Sequence, residues 1–162
     1  MYHHNTTDTA LIISHALEEF IERARVARLA TIDSEFKPHI VPVVFVFDGN
    51  HFFIPIDEKR KTVEPDKLKR IRNIQHNPSI ALLIDRYDED WTKLAFIMIE
   101  GEASIANKSE GNIQVRRAYK KLITKYIQYQ KVGVGEMCII ITPKKLASWG
   151  NSWNLNERIS NF

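Results

Sequence analysis

Basic residues are concentrated in one short segment, residues 59–77. Between Lys59 and Arg72, seven residues are Lys or Arg: Lys59, Arg60, Lys61, Lys67, Lys69, Arg70 and Arg72. Only Glu64 and Asp66 oppose them, so the segment carries a net charge of +5, whereas the whole chain of 162 residues carries +3. The segment leads into a predicted short helix, and a helix start offers unpaired N–H groups and a positive dipole end to an anion. The pattern therefore predicts an anchor for the phosphate of a small cofactor.

Two other interpretations of the basic segment remain open. The first is an ordinary solvated helix face. The second is a nucleic-acid-binding surface, which is disfavoured because the rest of the chain is net acidic and no aromatic residues alternate with the charges to stack on bases. We therefore expect no nucleic-acid partner.

Other kinds of site are not indicated by the sequence. It contains no Gly-x-Ser-x-Gly motif, no glycine-rich phosphate loop, no His-Glu-x-x-His motif and no pair of cysteines. The one cysteine, Cys138, lies in the apolar run MCIII and is expected to be a buried thiol in a reducing compartment. No apolar run approaches the roughly 20 residues of a membrane span, and no secretory signal is recognisable. These features predict a cytoplasmic protein without a membrane partner, a metal site or a catalytic triad.

The periodicity of apolar residues predicts a mainly β domain that spans residues 1–162. Helices are expected from Thr7 or Asp8 to Arg25, from Pro65 to Asn77, and over residues 115–127. Strands are expected over residues 26–33, 39–48, 51–56, 79–85, 94–105 and 136–143, with a bulge or kink at Gly101. Residues 144–149 are expected either to extend the sheet or to cross over. Because hairpins link most of these strands, the expected fold is an antiparallel β-barrel of about six strands, decorated with helices.

Two prolines mark a special place in this predicted sheet. Pro42 and Pro55 lie in the two strands that flank the turn at Asp48-Gly49-Asn50. Proline has no N–H to donate, so the ladder is expected to open there. A ligand beside the basic helix start would then meet free backbone groups.

The order of motifs resembles the pyridoxamine 5′-phosphate oxidase-like family, the split-barrel flavin and deazaflavin oxidoreductases. The motifs are ARLATID, PHIVPVVFVFDG, KRKT followed by LKRIRNIQHNPSIALLID, then YDEDW and IEGEASI. The subgroup of probable F420-dependent enzymes, in which Tyr-Asp-x-Asp-Trp recurs, is the most similar. The resemblance covers residues 24–105 well, and its specificity comes from the order of the motifs.

The resemblance implies a split β-barrel homodimer that binds two molecules of FMN or coenzyme F420 at the subunit interface. The pair Lys69-Arg70 matches the basic pair with which family members hold the cofactor phosphate. The backbone of residues 41–45 would run along the ring system. The implied cofactor contacts are Pro42, Val43, Val44, Pro55, Ile56, Lys59, Lys61, Thr62, Lys69 and Arg70, with Trp149 and Trp153 as candidates from the partner subunit.

The function implied by the resemblance is hydride transfer between the coenzyme and a small-molecule substrate. The alternative is a non-catalytic cofactor- or haem-binding protein of the same fold. Pyridoxine metabolism is not expected, because the chain has no histidine after His76 and so lacks the Arg-x-His element near the C-terminus of those oxidases.

Overall fold

The computed structural model describes residues 13–57 and 65–150. In this part of the chain there are seven strands and four α-helices. The helices are α1 (His15–Arg23), α2 (Lys69–His76), α3 (Ile113–Lys125) and α4 (Gln128–Val132). The strands are β1 (Ala27–Ile32), β2 (Pro38–Val43), β3 (Val46–Phe47), β4 (Phe52–Pro55), β5 (Ser79–Arg86), β6 (Ala95–Asn107) and β7 (Met137–Gly150).

All seven strands form one antiparallel sheet that curls on itself. The strand order is β2-β1-β5-β6-β7-β4-β3, so β2 and β3 are the two ends of the sheet. Only Val44 and Phe45 separate these two strands in sequence, and the sheet must therefore curl until its ends meet. The result is a half-barrel with helices, which confirms the predicted mainly β fold.

The inside of the curl holds the main apolar core. Strands contribute alternate residues to it, because successive side chains of a strand point to opposite faces. Leu29, Leu82, Ile97 and Phe52 are each 0% exposed, and Ile71 of α2 joins them. A second apolar cluster lies on the outer face of β4, where Phe53 packs with Leu122 of α3 and its neighbours. Both faces of β4 are therefore covered, which explains why all four of its residues are buried.

The β6–β7 hairpin confirms the predicted bulge at Gly101. The register between the two strands shifts between Glu100 and Gly101, where Lys144 has no paired residue on β6. A Cβ on residue 101 would lie 2.4 Å from the backbone oxygen of Thr142, so only glycine fits this close approach. β7 continues to Gly150 as one strand, which settles the alternatives for residues 144–149 in favour of an extended sheet.

Two predicted elements differ in their bounds. The strand predicted over residues 39–48 is broken into β2 and β3 by the bend at Val44 and Phe45. The first helix begins at His15, after an N-cap at Ser14 whose hydroxyl accepts a hydrogen bond from Leu17 N–H, and the predicted start at Thr7 or Asp8 lies outside the described residues. The predicted helix included Ile13, which precedes this cap, because the spacing of apolar residues does not show where a local N-cap lies.

The hydroxyl of Tyr126 satisfies the backbone at the bend. It accepts a hydrogen bond from Phe45 N–H at 3.1 Å, and its own proton lies within reach of the Phe45 carbonyl at 2.9 Å and the Arg25 carbonyl at 3.0 Å. Phe45 has no ladder partner, so the tyrosine supplies what the sheet lacks at this point.

Tyr126→Phe is therefore expected to destabilise the fold by about 1–3 kcal/mol, because it leaves a buried N–H unsatisfied. Urea unfolding measures this change. Tyr87→Phe, at a side chain that is exposed, is the matched control and should be close to neutral. Equal effects of the two substitutions would show that the bend does not depend on Tyr126.

No helix among the described residues is long and apolar enough to cross a membrane.

Candidate functional site

The two basic residues Lys69 and Arg70 are the first two residues of α2. A 3-10 turn over Pro65–Lys67 leads into the helix, and Leu68 occupies the N-cap position without a side-chain hydrogen bond to the helix start. The helix start thus combines two cations with N–H groups that no capping side chain satisfies. This arrangement favours an anion.

A buried polar pair fixes α2 against the sheet. Asn73 Nδ2 donates to Thr31 Oγ1 at 2.9 Å, and both residues are almost fully buried. Thr31 Oγ1 also lies 3.4 Å from the carbonyl of His39 on β2. One hydrogen-bonded chain therefore links α2, β1 and β2, and it holds the basic helix start beside the first residues of β2.

Asp33 is the counter-ion of Lys69. Their side chains approach to 3.3 Å between Nζ and Oδ2. The other carboxylate oxygen accepts the N–H groups of Glu35 and Lys37 in the β1–β2 turn, and the bond from Lys37 is the main cause that lowers the pKa of Asp33. The turn thus holds an ionised carboxylate in place, and Lys69, whose side chain is 44% exposed, can swing from it to another anion.

Arg70 is less well compensated than Lys69. Its side chain is partly buried, and its Nε has no hydrogen-bond partner among the described residues. Burial lowers the pKa of Arg70, and the negative charge of Asp57, at the end of β4, opposes that shift. A buried guanidinium N–H without an acceptor is the kind of donor that a bound phosphate oxygen satisfies. The residues present therefore fit the phosphate of a coenzyme.

His39 faces the same basic pair from β2. Its Nδ1 is buried and has no hydrogen-bond partner within the described part of the chain. Burial is the main cause that lowers the pKa of His39, and the charges of Lys69 and Arg70 lower it further, while Asp33 raises it. The imidazole is thus held neutral beside the two cations.

This histidine gives the fold a pH dependence of known sign. Because its folded-state pKa is below the unfolded value near 6.5, the unfolded chain binds a proton more readily. Stability is therefore lost as the pH falls below about 6.5. His39→Gln is expected to lose less stability than the wild type between pH 7 and pH 5 in urea unfolding, and His76→Gln, at an exposed position, serves as the control. An unchanged pH dependence in His39→Gln would contradict this description.

The structure brings some of the predicted site residues together. Ile56 is fully buried at the end of β4 beside Asp57, whose charge acts on Arg70. Pro42 lies on the exposed face of β2, and Val43 is buried in the core. Val44 is partly buried at the bend, and Pro55 is buried on β4.

The hairpin predicted at Asp48-Gly49-Asn50 is confirmed, because β3 and β4 pair on either side of this turn, but the two prolines do not lie on strands that pair with each other. Pro42 pairs with Arg28 of β1, and Pro55 pairs with Cys138 of β7. β2 has β1 as its only partner strand among the described residues, and β3 reaches only to Phe52 and Phe53 of β4. Each proline therefore has a paired strand on one side only, and no described strand pairs with it on the other side. The hydrogen-bond ladder is open at both prolines, as predicted.

Of the remaining predicted contacts, four fall outside the described residues and one, Trp149, lies on β7. Lys59, Lys61 and Thr62 are outside the described residues, as is Trp153. Trp149 is 50% exposed and stacks on Phe96 of its own chain, with 6.4 Å between the ring centroids. It lies eleven residues along β7 from Cys138, the partner of Pro55, which is about 36 Å of strand.

Asp57 also lines a cavity of about 730 Å³. Its walls include Val44, Tyr126, Tyr129 and the loop that follows α4. Gly135 of that loop lies against the end of β4, where a Cβ would be 2.1 Å from the Ile56 oxygen. Among the predicted cofactor contacts that the structure describes, only Val44 lines this cavity. Within residues 13–57 and 65–150, no group of three or more His, Cys, Asp and Glu side chains could hold a metal ion.

Several residues of the site were not predicted from the sequence. His39, Asp57 and Asn73 give no motif, and their roles follow from which strands meet α2. The sequence around Asp33 indicates only a turn. A signal for Asn73 did exist, because a polar residue between the apolar positions Ile71 and Ile74 would be costly to bury without a partner.

The curled sheet, with α2 beside its open side, defines a split-barrel domain. The family model described as pyridoxamine 5′-phosphate oxidase matches residues 13–150, and the chain belongs to this family. No curated protein is significantly similar to it in sequence.

Solved structures share the fold at low sequence identity. A conserved hypothetical protein of Mycobacterium tuberculosis, Rv2991, is 19% identical with a TM-score of 0.68, over 88% of each chain. HutZ, the heme storage protein of Vibrio cholerae, is 14% identical with a TM-score of 0.62, over 82% of this chain and 90% of its own. An FAD-binding protein of Mesorhizobium loti is 15% identical with a TM-score of 0.59, over 80% of this chain and 87% of its own.

Proposed function

We propose that this protein is an oxidoreductase that binds FMN or coenzyme F420 at a homodimer interface, with the coenzyme phosphate on Lys69 and Arg70. The observation that carries the proposal is the partly buried guanidinium of Arg70, whose Nε has no acceptor among the described residues and which stands at an uncapped helix start. Both coenzymes carry a phosphate, so the same anchor serves either.

The two cations have separate tasks in binding. Arg70 is fixed by burial and presents its guanidinium to one phosphate oxygen, whereas Lys69 is more exposed and exchanges Asp33 for another oxygen. A phosphate that accepts two charge-assisted hydrogen bonds gains more than a neutral acceptor would. The anchor therefore provides affinity and fixes one end of the coenzyme, and Lys59, Lys61 and Thr62 are proposed to add contacts from the preceding loop.

The position of the phosphate anchor limits where the ring system of the coenzyme can lie. β2 leads from His39, which faces the anchor, to Val44 at the bend, and its outer edge pairs with no described strand. We place the ring along the backbone of Pro42, Val43 and Val44, with Pro55 and Ile56 at its side. The bound coenzyme supplies the hydride chemistry. The chain itself contributes orientation and exclusion of water.

A homodimer is proposed because the same edge is apolar as well as unpaired. Ile40 of β2 is 64% exposed on the outer face. Burial of such an edge strand against a second copy removes a liability that soluble proteins normally cover. In the dimer, Trp149 of the partner subunit would approach the coenzyme.

A non-catalytic cofactor- or haem-binding protein is the second candidate. It is favoured by the similarity of fold to HutZ, the heme storage protein of Vibrio cholerae. Such a protein would bind its cofactor but would not transfer hydride to a substrate.

The visible spectrum of the purified protein separates the two candidates. The first predicts a flavin or deazaflavin band, either as purified or after titration with FMN and with coenzyme F420, and quenched coenzyme fluorescence on binding. A Soret band that saturates on haem addition would favour the second. Failure of both coenzymes to bind would exclude the proposed oxidoreductase function.

A further inference from the structure

We propose that the cavity beside Asp57 receives the substrate and that the substrate is an organic cation, an amine on an apolar aromatic or aliphatic body. This inference deepens the proposed function and rests on it, because it places a reacting molecule beside the coenzyme ring. The cavity measures about 730 Å³, which is room for a small organic molecule.

The cavity is adjacent to the proposed ring path. Val44, the last residue of that path, is one of its walls. Asp57 lines the cavity, and its charge also acts on Arg70 of the anchor, so the cavity and the anchor share this carboxylate. A molecule in the cavity would therefore lie next to the ring and away from the phosphate.

The charge of the cavity is opposite to that of the anchor. Asp57 and Glu136 both line it, and none of the described lining residues is Lys, Arg or His. Glu136 is partly neutralised by Lys108 at 3.7 Å and is well exposed, so Asp57 is the stronger determinant. An acidic cavity attracts a cation and repels a phosphorylated or carboxylate substrate.

Asp57 is held in position to accept a further donor. Tyr129 Oη donates to its Oδ1 at 2.7 Å. Burial raises the pKa of Tyr129, so the phenol keeps its proton and remains a donor. The second carboxylate oxygen can then accept a bond from a substrate ammonium group, and a charged pair of this kind is stronger than a neutral one.

The apolar part of the cavity matches an aromatic or aliphatic body. The rings of Tyr126 and Tyr129 meet edge to face, with 6.0 Å between their centroids, and both line the cavity. Val132 and Val134 add aliphatic surface. Aromatic faces also attract cations, and the ring of Tyr129 adds in this way to the preference set by the carboxylates, whereas the ring of Tyr126 already has Arg25 at 4.7 Å.

The test compares three probes that share a phenylalkyl body and differ in charge: phenethylamine, 2-phenylethanol and 3-phenylpropionate. Binding is followed by amide chemical shifts in ¹⁵N-labelled full-length protein. We expect phenethylamine to bind roughly tenfold more tightly than the alcohol, and the carboxylate to bind most weakly. Shifts for phenethylamine should be largest around Asp57, Tyr129 and Gly133.

Asp57→Asn should remove the preference for the amine, because asparagine still accepts the Tyr129 proton but carries no charge. Glu136→Gln reduces the charge of the cavity independently, so the test does not depend on one variant folding. Glu89→Gln, at an exposed carboxylate that does not line the cavity, should leave the preference intact.

Titration of the same samples with FMN and coenzyme F420 keeps the two claims apart. If a coenzyme binds but the probes show no charge preference, or their shifts lie away from the cavity, the inference is overturned and the proposed function stands. If phenethylamine binds in an Asp57-dependent manner and neither coenzyme binds, the cation selectivity is supported and the proposed oxidoreductase function fails.

Discussion

Replacement of both Lys69 and Arg70 by alanine is expected to weaken coenzyme binding by about 3–6 kcal/mol, or roughly 10²–10⁴-fold in Kd. Each residue provides a charged hydrogen bond, and the loss of one such bond costs about 1.5–3 kcal/mol. Arg70 is partly buried and Lys69 lies 3.3 Å from Asp33, so both cations are positioned at the helix start. Fluorescence titration with FMN and with coenzyme F420 measures the loss.

The substitutions should leave the fold intact. Asp33 keeps its hydrogen bonds from Glu35 and Lys37 when Lys69 is absent, and the removal of Arg70 takes away a buried donor without an acceptor. Arg72→Ala, at an exposed position of the same helix, is the matched control and should change Kd by less than about threefold. Equal Kd values for the double variant and the wild type would show that α2 is not the phosphate anchor.

Phe53→Ala is expected to destabilise the protein by about 3–5 kcal/mol. Phe53 is fully buried on the outer face of β4, where it joins Val115 and Leu122 of α3 in the second apolar cluster. Truncation leaves a cavity between the sheet and α3 that the surrounding backbone cannot fill. The free energy of unfolding from urea denaturation gives the size of the effect.

Phe36→Ala is the matched control for this substitution. Phe36 is 82% exposed, and at φ +61° it has an unfavourable backbone conformation that alanine would share. The change should therefore stay within about 0.5 kcal/mol. If Phe53→Ala were equally mild, α3 could not be packed on the outer face of β4 as described.

Much of the sheet could be predicted because its residues carry local signals. Apolar residues in strand-forming runs indicated the positions of β1, β5 and β6, and Gly101 indicated the bulge within β6. The strand order could not be predicted in the same way. The break at Val44 and Phe45 depends on Tyr126, a residue 81 positions away along the chain, and no local pattern records such a contact.

The candidate site was predictable only in its basic part. A cluster of Lys and Arg before a helix is visible in any sequence, and it led to Lys69 and Arg70. Asp57, His39 and the Asn73–Thr31 pair became recognisable when the curl of the sheet brought β1, β2, β4 and α2 together. The acidic cavity combines residues of the bend, the segment after β4, α4 and the loop that follows α4, so its charge is a property of the fold and of no single segment.

The central claim is that Lys69 and Arg70 bind the phosphate of the coenzyme. Its most direct test compares the affinity of the protein for FMN with its affinity for riboflavin, which is the same molecule without the phosphate. We predict that the phosphorylated form binds roughly 10²–10⁴-fold more tightly and that most of this ratio is lost when Lys69 and Arg70 are both alanine. Equal affinity of the wild type for the two forms, or a ratio that survives in the double variant, would contradict the account.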